Sequence, residues 1–145
     1  MQNPDQTLIH QFENGAAPLA INSNPFANAI AAQLLHVDRE AGRIELAFAP
    51  NSSFTQGAGV VQGGIVCAML DFAMAFAVLA RLPPGETATT VNINVSYLRA
   101  VAEGRLLATG GIDRVGKTMA FAHARLTAQD GTLLATANST LAVLR

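Results

Sequence analysis

QGGIVCAMLDFAMAFAVLAR, residues 62–81, is the stretch that decides the fold. From Gly63 to Ala80 it is apolar on every side of a helix, and its only charged residue is Asp71. A helix that is apolar all round is buried all round, so we expect it to form the centre of the protein. An ionised carboxylate in such a place is costly unless it is partnered, and carboxylates of this kind cluster at functional sites.

Two glycines, Gly63 and Gly64, open the segment. A helix that begins on glycine leaves backbone N–H groups that an anion or a polarised carbonyl can approach. Gly63 and Asp71 are eight residues apart, about 12 Å along a helix axis, so one carbonyl cannot meet both within a chain. Two antiparallel helices related by a twofold axis would bring the glycine end of one beside the carboxylate of the other. The spacing therefore predicts a homodimer with two equivalent sites.

A membrane span is the alternative interpretation of this segment. Its roughly 18 apolar residues fall short of the roughly 20 that a span needs, and a central Asp71 would cost about 2.5–3.5 kcal/mol on insertion scales. Strand-like alternation follows directly, and no basic flank is present to set a topology. We therefore favour the core helix of a soluble domain and expect no membrane partner.

The composition is typical of one globular domain. The chain has 145 residues, of which 50% are hydrophobic and 13% are charged, so it can build a substantial core. A formal net charge of −1 gives no reason to expect nucleic acid as a partner. Polar residues follow Met1 up to Thr7, without the regions of a secretory signal, so we expect a cytoplasmic protein. The single Cys67 is interpreted as a buried structural thiol.

The rest of the chain is predicted to form mainly strands. Residues 33–38 and 43–49 predict a hairpin across a turn that ends in Gly42. The clearest strand is 89–97, whose strict alternation places Val91 on the apolar face and Thr90 on the polar face. Three further strands are expected from alternation and turn signals: 103–114, 117–129 and 132–144. The pair Gly110-Gly111 marks a bulge or a close approach of two backbones.

This order of elements predicts an α+β protein in which an antiparallel sheet curls around one helix. We assign residues 24–145 to a single domain and residues 1–23 to an N-terminal extension. The motifs VQGGIVCAMLD at 61–71 and TVNINVSYLR at 90–99 resemble those of the hotdog-fold thioesterases. The chain is most similar to the phenylacetate-pathway branch, which is 4-hydroxybenzoyl-CoA thioesterase-like. In that branch a His usually stands where this chain has Gln62.

The resemblance implies an acyl-CoA thioesterase that hydrolyses an acyl- or aryl-CoA thioester to the free acid and coenzyme A, without a metal or an organic cofactor. Gly63 would supply the backbone N–H that polarises the thioester carbonyl. Asp71 would attack that carbonyl or activate water. Gln56 would orient water or substrate, and Thr90 would place a hydroxyl beside the water. The resemblance also implies a homodimer, often paired again into a homotetramer.

Further residues are predicted to contact the substrate. Gln62 and Gly64 lie at the start of the helix, and Phe72 would line an apolar acyl pocket. Arg99 and Lys117 would hold the phosphates of coenzyme A, because guanidinium and ammonium groups suit phosphate oxygens.

Two other functions stay open on sequence. Because the histidine of the family is absent, a noncatalytic hotdog protein that binds acyl-CoA as a sensor or carrier is the main alternative. A hotdog dehydratase is the other possibility, but it would need a catalytic histidine near the helix start, and this chain has none there. His10, His36 and His123 show no ligand spacing, so no metal site is predicted. The chain has no G-x-S-x-G elbow, which argues against a serine hydrolase.

Overall fold

The computed structural model describes residues 2–145 and contains a seven-stranded antiparallel sheet wrapped around one long helix. The helices are α1 (Pro4–Gln11), α2 (Pro25–Ala29) and α3 (Gly63–Arg81). The strands are β1 (Leu19–Ala20), β2 (Gln33–Asp38), β3 (Arg43–Phe48), β4 (Thr87–Tyr97), β5 (Leu106–Val115), β6 (Met119–Ala128) and β7 (Leu133–Leu144). The strand order is β1-β2-β3-β5-β6-β7-β4, which leaves β1 and β4 at the edges. This is the α+β hotdog architecture that the sequence predicts.

The helix α3 is the core helix, and its bounds match the prediction. Its buried residues, from Val66 to Ala80, pack against β5, β6, β4 and β7. By length and composition alone α3 could cross a membrane, but 56% of its most apolar 18-residue window is buried inside the fold. The helix ends at Arg81, because Pro83 and Pro84 follow and cannot continue its hydrogen bonding.

Burial of α3 is not complete, contrary to the expectation of a helix that is buried on every side. Gly63 and Gly64 are exposed, and Cys67, Asp71 and Ala75 are only partly buried. Residues three and four apart share one face of a helix, so these five residues form a single stripe along α3, the open stripe. The sheet covers the other faces, and the glycines and the carboxylate both lie on the stripe that it leaves open.

The N-terminal stretch packs on the same core. Ile9 and Phe12 of α1 and the segment after it are buried, and α1 contacts α3. Asn3 caps α1 by accepting hydrogen bonds from the next turn, and the Gln6 amide donates to the carbonyls of Leu82 and Pro83 just beyond α3. The sequence analysis did not identify this helix. Its bonds fix the end of α3, and the domain boundary at residue 24 stays a prediction.

A bulge in β4 changes the alternation that the sequence suggests. The register between β4 and β7 shifts between Thr90 and Asn92, which leaves Val91 as an extra residue. Val91 is 58% exposed, whereas Ile93 packs against the core. The prediction that Val91 lies on the apolar face, opposite Thr90, is wrong because a bulge moves the alternation by one residue. Thr90 therefore faces α3.

The strand β5 approaches α3 most closely at Gly110. A Cβ atom on this residue would overlap the backbone carbonyl of Ala73 in α3. The predicted close approach at Gly110-Gly111 is confirmed, while the bulge of β5 lies further along, between Ile112 and Arg114.

Gly110→Ala is expected to lower the free energy of unfolding by about 1–3 kcal/mol or more, because overpacking against a fixed backbone cannot be relieved by a rotamer change. Gly111→Ala is the matched control. The atoms nearest to its new methyl group all belong to the ring of the exposed His123 side chain, which can rotate away. Its cost should stay within about 0.5–1 kcal/mol. Denaturant unfolding measures both values, and equal losses in the two variants would contradict the close approach.

Candidate active site

The site begins at the first turn of α3. Gln62 is the N-cap residue, with an extended backbone (φ −62°, ψ 139°) and no capping bond from its side chain. Its carbonyl accepts hydrogen bonds from the amides of Ile65 at 2.9 Å and Val66 at 3.2 Å. Within residues 2–145 no acceptor binds the amides of Gly63 and Gly64. Two exposed N–H donors therefore stand at the positive end of the helix dipole.

The carboxylate of Asp71 lies two turns further along the open stripe. Its Oδ1 accepts a hydrogen bond from the hydroxyl of Thr90 at 2.7 Å. In the part of the chain that the structure describes, this hydroxyl is its only hydrogen-bond partner. The second oxygen is therefore free to accept a proton from water or to approach a substrate. The bulge at Val91 makes this contact possible, because it turns Thr90 toward α3.

Gln56 lies in a tight loop before α3. Its backbone amide donates to the Val60 carbonyl at 2.8 Å, and its carbonyl accepts from Gly59 at 2.9 Å. The side-chain oxygen of Gln56 accepts a hydrogen bond from the Ala58 amide. With that oxygen engaged, the NH₂ group is the part of the side chain that can donate to a ligand.

A groove of about 350 Å³ runs beside the start of α3. It brings together three of the predicted residues, Gln56, Gly63 and Arg99. Tyr97 also lines it, and its hydroxyl donates to the Gly63 carbonyl at 2.7 Å. Sequence analysis missed this contact, because the alternation along 89–97 indicates a strand and gives no partner for the Tyr97 hydroxyl. The available signal was that Tyr97 is the single tyrosine of the chain and lies inside the 90–99 motif.

The remaining predicted residues lie elsewhere. Phe72 is partly buried in an aromatic cluster, with ring centroids 6.1 Å from Phe26, 6.1 Å from Phe48 and 4.9 Å from Phe76. Lys117 is exposed in the turn between β5 and β6 and does not line the groove of its own chain. Its contact with coenzyme A stays a prediction.

Cys67 lies on the open stripe between the glycines and Asp71. It is partly exposed, so the expectation of a buried thiol is wrong, since the sheet does not cover this face of α3. Burial, and to a smaller extent the negative charge of Asp71, raise the pKa of the Cys67 thiol. The thiol is therefore neutral near pH 7 and a poor nucleophile.

The fold and the site together, a hotdog fold with free amides and a carboxylate on its central helix, resemble those of thioesterases. The comparisons with known proteins point to the same class. The family model of the thioesterase superfamily matches residues 58–135. The chain belongs to this superfamily, and membership supports thioester hydrolysis as its general reaction. No curated protein sequence matches the chain.

Similar solved structures are consistent with membership of this superfamily. A candidate thioesterase from Ralstonia eutropha JMP134, described as a phenylacetic acid degradation-related protein, is 32% identical, with 97% of this chain and 99% of that chain covered and a TM-score of 0.81. A thioesterase family protein from Silicibacter pomeroyi is 27% identical over 83% of this chain and 90% of that chain, with a TM-score of 0.77. The E. coli PaaI protein from the phenylacetic acid degradation operon is 20% identical over 84% of each chain, with a TM-score of 0.74, and shows the fold alone.

The proximity of Cys67 and Asp71 can be tested by alkylation. Because the pKa of Cys67 is raised, the rate of its reaction with iodoacetamide should rise at a higher pH than the rate for an ordinary thiol does. Asp71→Asn removes a negative charge that opposes the thiolate, so the midpoint of the rate against pH should fall. Mass spectrometry of the alkylated protein measures the rate.

Asp113→Asn is the control, because Asp113 is an exposed carboxylate that pairs with His123. It should leave the alkylation profile of Cys67 unchanged. A midpoint that does not move in Asp71→Asn would contradict the arrangement of the stripe.

Proposed function

We propose that the protein is an acyl-CoA thioesterase that hydrolyses an acyl- or aryl-CoA thioester to the free acid and coenzyme A, without a metal or an organic cofactor. One observation carries the proposal: two unbonded amides, at Gly63 and Gly64, share the open stripe of α3 with a carboxylate that has a free oxygen. Thioester hydrolysis needs these two functions, a donor for the developing oxyanion and a group that delivers the attacking oxygen.

Each residue of the site has a separate proposed role in the reaction. The Gly63 amide binds the thioester carbonyl oxygen, and an oxyanion donor of this kind contributes about 3–4 kcal/mol. Asp71 attacks the carbonyl or takes the proton of the attacking water, which contributes about 10²–10⁴-fold. Thr90 holds one carboxylate oxygen and leaves the other for the reaction. Gln56 lines the groove, and its NH₂ group can orient water or substrate.

The groove suits the coenzyme A part of the substrate. Arg99 lines it and can bind phosphate oxygens. Lys117 does not line the groove of its own chain, so it would bind these phosphates only from the second subunit. Phe72 supplies an apolar wall for the acyl group. Gln62 is the N-cap residue where the branch usually has His, and its side-chain amide lies beside Gly64. Because the Ralstonia eutropha protein is described as related to phenylacetic acid degradation, aromatic acyl-CoA esters are the first substrates to test.

The active form is proposed to be a homodimer built on β4. This 11-residue strand has β7 on one side and forms an edge of the sheet on the other. Apolar side chains are exposed along it and just beyond, with Val91 at 58%, Tyr97 at 53% and Leu98 at 54%. Long exposed edges are normally covered, and a second β4 related by a twofold axis would cover this one.

Such pairing would also place two α3 helices antiparallel. Gly63 and Asp71 are fixed about 12 Å apart on one helix, so a carbonyl held by Gly63 would be approached by Asp71 of the partner subunit. Two dimers are proposed to assemble further into a homotetramer.

A panel of acyl-CoA esters, read with a thiol-detecting reagent, tests the function. Aromatic and medium-chain esters should release coenzyme A. Measurable binding without thiol release from any ester would favour the alternative, a noncatalytic acyl-CoA sensor or carrier.

Asp71→Asn keeps the shape of the side chain and removes the base. Its kcat should fall by about 10²-fold or more with little change in KM, as expected for a group that acts in the transition state. Gln56→Ala should cost less, because orienting water is a smaller task than activating it. Near-normal turnover by Asp71→Asn in steady-state kinetics would mean that the carboxylate is structural.

Gly63→Pro removes the proposed oxyanion donor without removing a helical hydrogen bond. Gly63 is the first helical residue, where proline is tolerated, and the extended backbone of Gln62 suits a residue before proline. We expect kcat/KM to fall by about 10²–10³-fold while the melting temperature changes little. A folded Gly63→Pro variant with unchanged kcat/KM would contradict the role of this amide.

The proposed dimer is tested by sedimentation and dilution. The protein should sediment as a dimer or tetramer at working concentrations, and on dilution activity per chain should fall together with the dimer fraction. A monomer in sedimentation velocity that still turns over substrate would overturn the shared site.

A further inference from the structure

Tyr97 makes a contact that the proposed mechanism does not use. It is the last residue of β4, the residue is 53% exposed, and its hydroxyl donates to the Gly63 carbonyl at 2.7 Å. Its ring lies 3.6 Å from the position that a Cβ on Gly63 would take. A residue from the edge strand thus contacts the first peptide of α3.

The bonded carbonyl belongs to the same peptide unit as the Gly64 amide. Because a peptide unit is planar and trans, a donor that fixes the Gly63 C=O also fixes the direction of the Gly64 N–H, on the opposite side. That N–H has no acceptor among residues 2–145, and Gly64 is an exposed residue. Tyr97 therefore acts on a free donor through one rigid group.

The carbonyls of the two opening peptide units of α3 each accept two hydrogen bonds. The carbonyl of Gln62 accepts two helix amides, those of Ile65 and Val66. The regular helix supplies the Gly63 carbonyl with only one donor, the amide four residues on, and the Tyr97 hydroxyl supplies the second. Hydrogen bonds in a chain polarise one another, so a second donor on the carbonyl strengthens the N–H of the same unit.

We infer that Tyr97 is a positioning residue that orients and polarises the Gly64 amide, making it a second donor to the thioester carbonyl oxygen beside the Gly63 amide. This inference rests on the proposed thioesterase function. Burial, and then the neighbouring Cys67, raise the pKa of the Tyr97 phenol, so the hydroxyl stays a donor at neutral pH. Because the hydroxyl proton is donated to the Gly63 carbonyl, the inference gives Tyr97 no acid or base role.

Tyr97→Phe is the test variant, because it removes the hydroxyl and keeps the ring on Gly63. With an acyl-CoA that the wild type hydrolyses, kcat should fall about 3–10-fold, the value of one hydrogen bond, with KM nearly unchanged. Melting temperature and sedimentation should match the wild type. Tyr97→Leu also removes the ring from the groove and should raise KM in addition.

A spectroscopic measurement separates positioning from simple packing. In ¹⁵N-labelled protein, Tyr97→Phe should move the Gly64 amide proton resonance upfield and move that of Gly63 much less, since only Gly64 shares the released peptide unit. An unmoved Gly64 resonance would overturn the inference whether or not the protein is active.

The kinetic outcomes are also distinct. A wild type that releases no thiol from any acyl-CoA would refute the proposed function. An active wild type with an unchanged kcat in Tyr97→Phe would refute only the role of Tyr97.

Discussion

The amides of Gly63 and Gly64 and the carboxylate of Asp71 lie on one continuous helix, and the helix itself holds them about 12 Å apart. Neither set can reach the other by a side-chain rotation. Thioester hydrolysis needs a hydrogen-bond donor at the carbonyl oxygen and an attacking oxygen at the carbon of the same carbonyl group. A rigid spacing of this length therefore argues against a site inside one chain, and it is the reason why the proposed site includes a second antiparallel helix.

The fold preserves this spacing by fixing α3 from several sides. Gly110 lets β5 press directly on the backbone of the helix, Gln6 bonds the segment just after its end, and Tyr97 bonds its first peptide. The face that the sheet leaves open holds small and polar residues rather than large apolar ones. The same packing that buries the helix thus leaves one stripe uncovered, where substrate and a partner helix would meet in the proposed dimer.

The main features of the fold could be predicted, because apolar periodicity survives along α3 and the long strands. The position of Gly63 and Asp71 on one helix could also be predicted, since spacing along a helix is set by sequence alone. Other features were not. The buried face of α1 has few apolar residues among polar ones, and the bulge at Val91 interrupts no visible alternation. The hydroxyl of Tyr97 bonds a segment 34 residues away, and such a partner leaves no local signature.

In the proposed dimer each site takes its amides from one subunit and its carboxylate from the other, and a mixed dimer tests this most directly. Asp71→Asn and Gly63→Pro chains, each impaired alone, are co-expressed and the mixed dimer is assayed. Random pairing makes half of the dimers mixed, and each mixed dimer holds one intact site of two, so activity should recover to about a quarter of wild type. Activity no higher than the mean of the two separate variants would contradict a site shared between subunits.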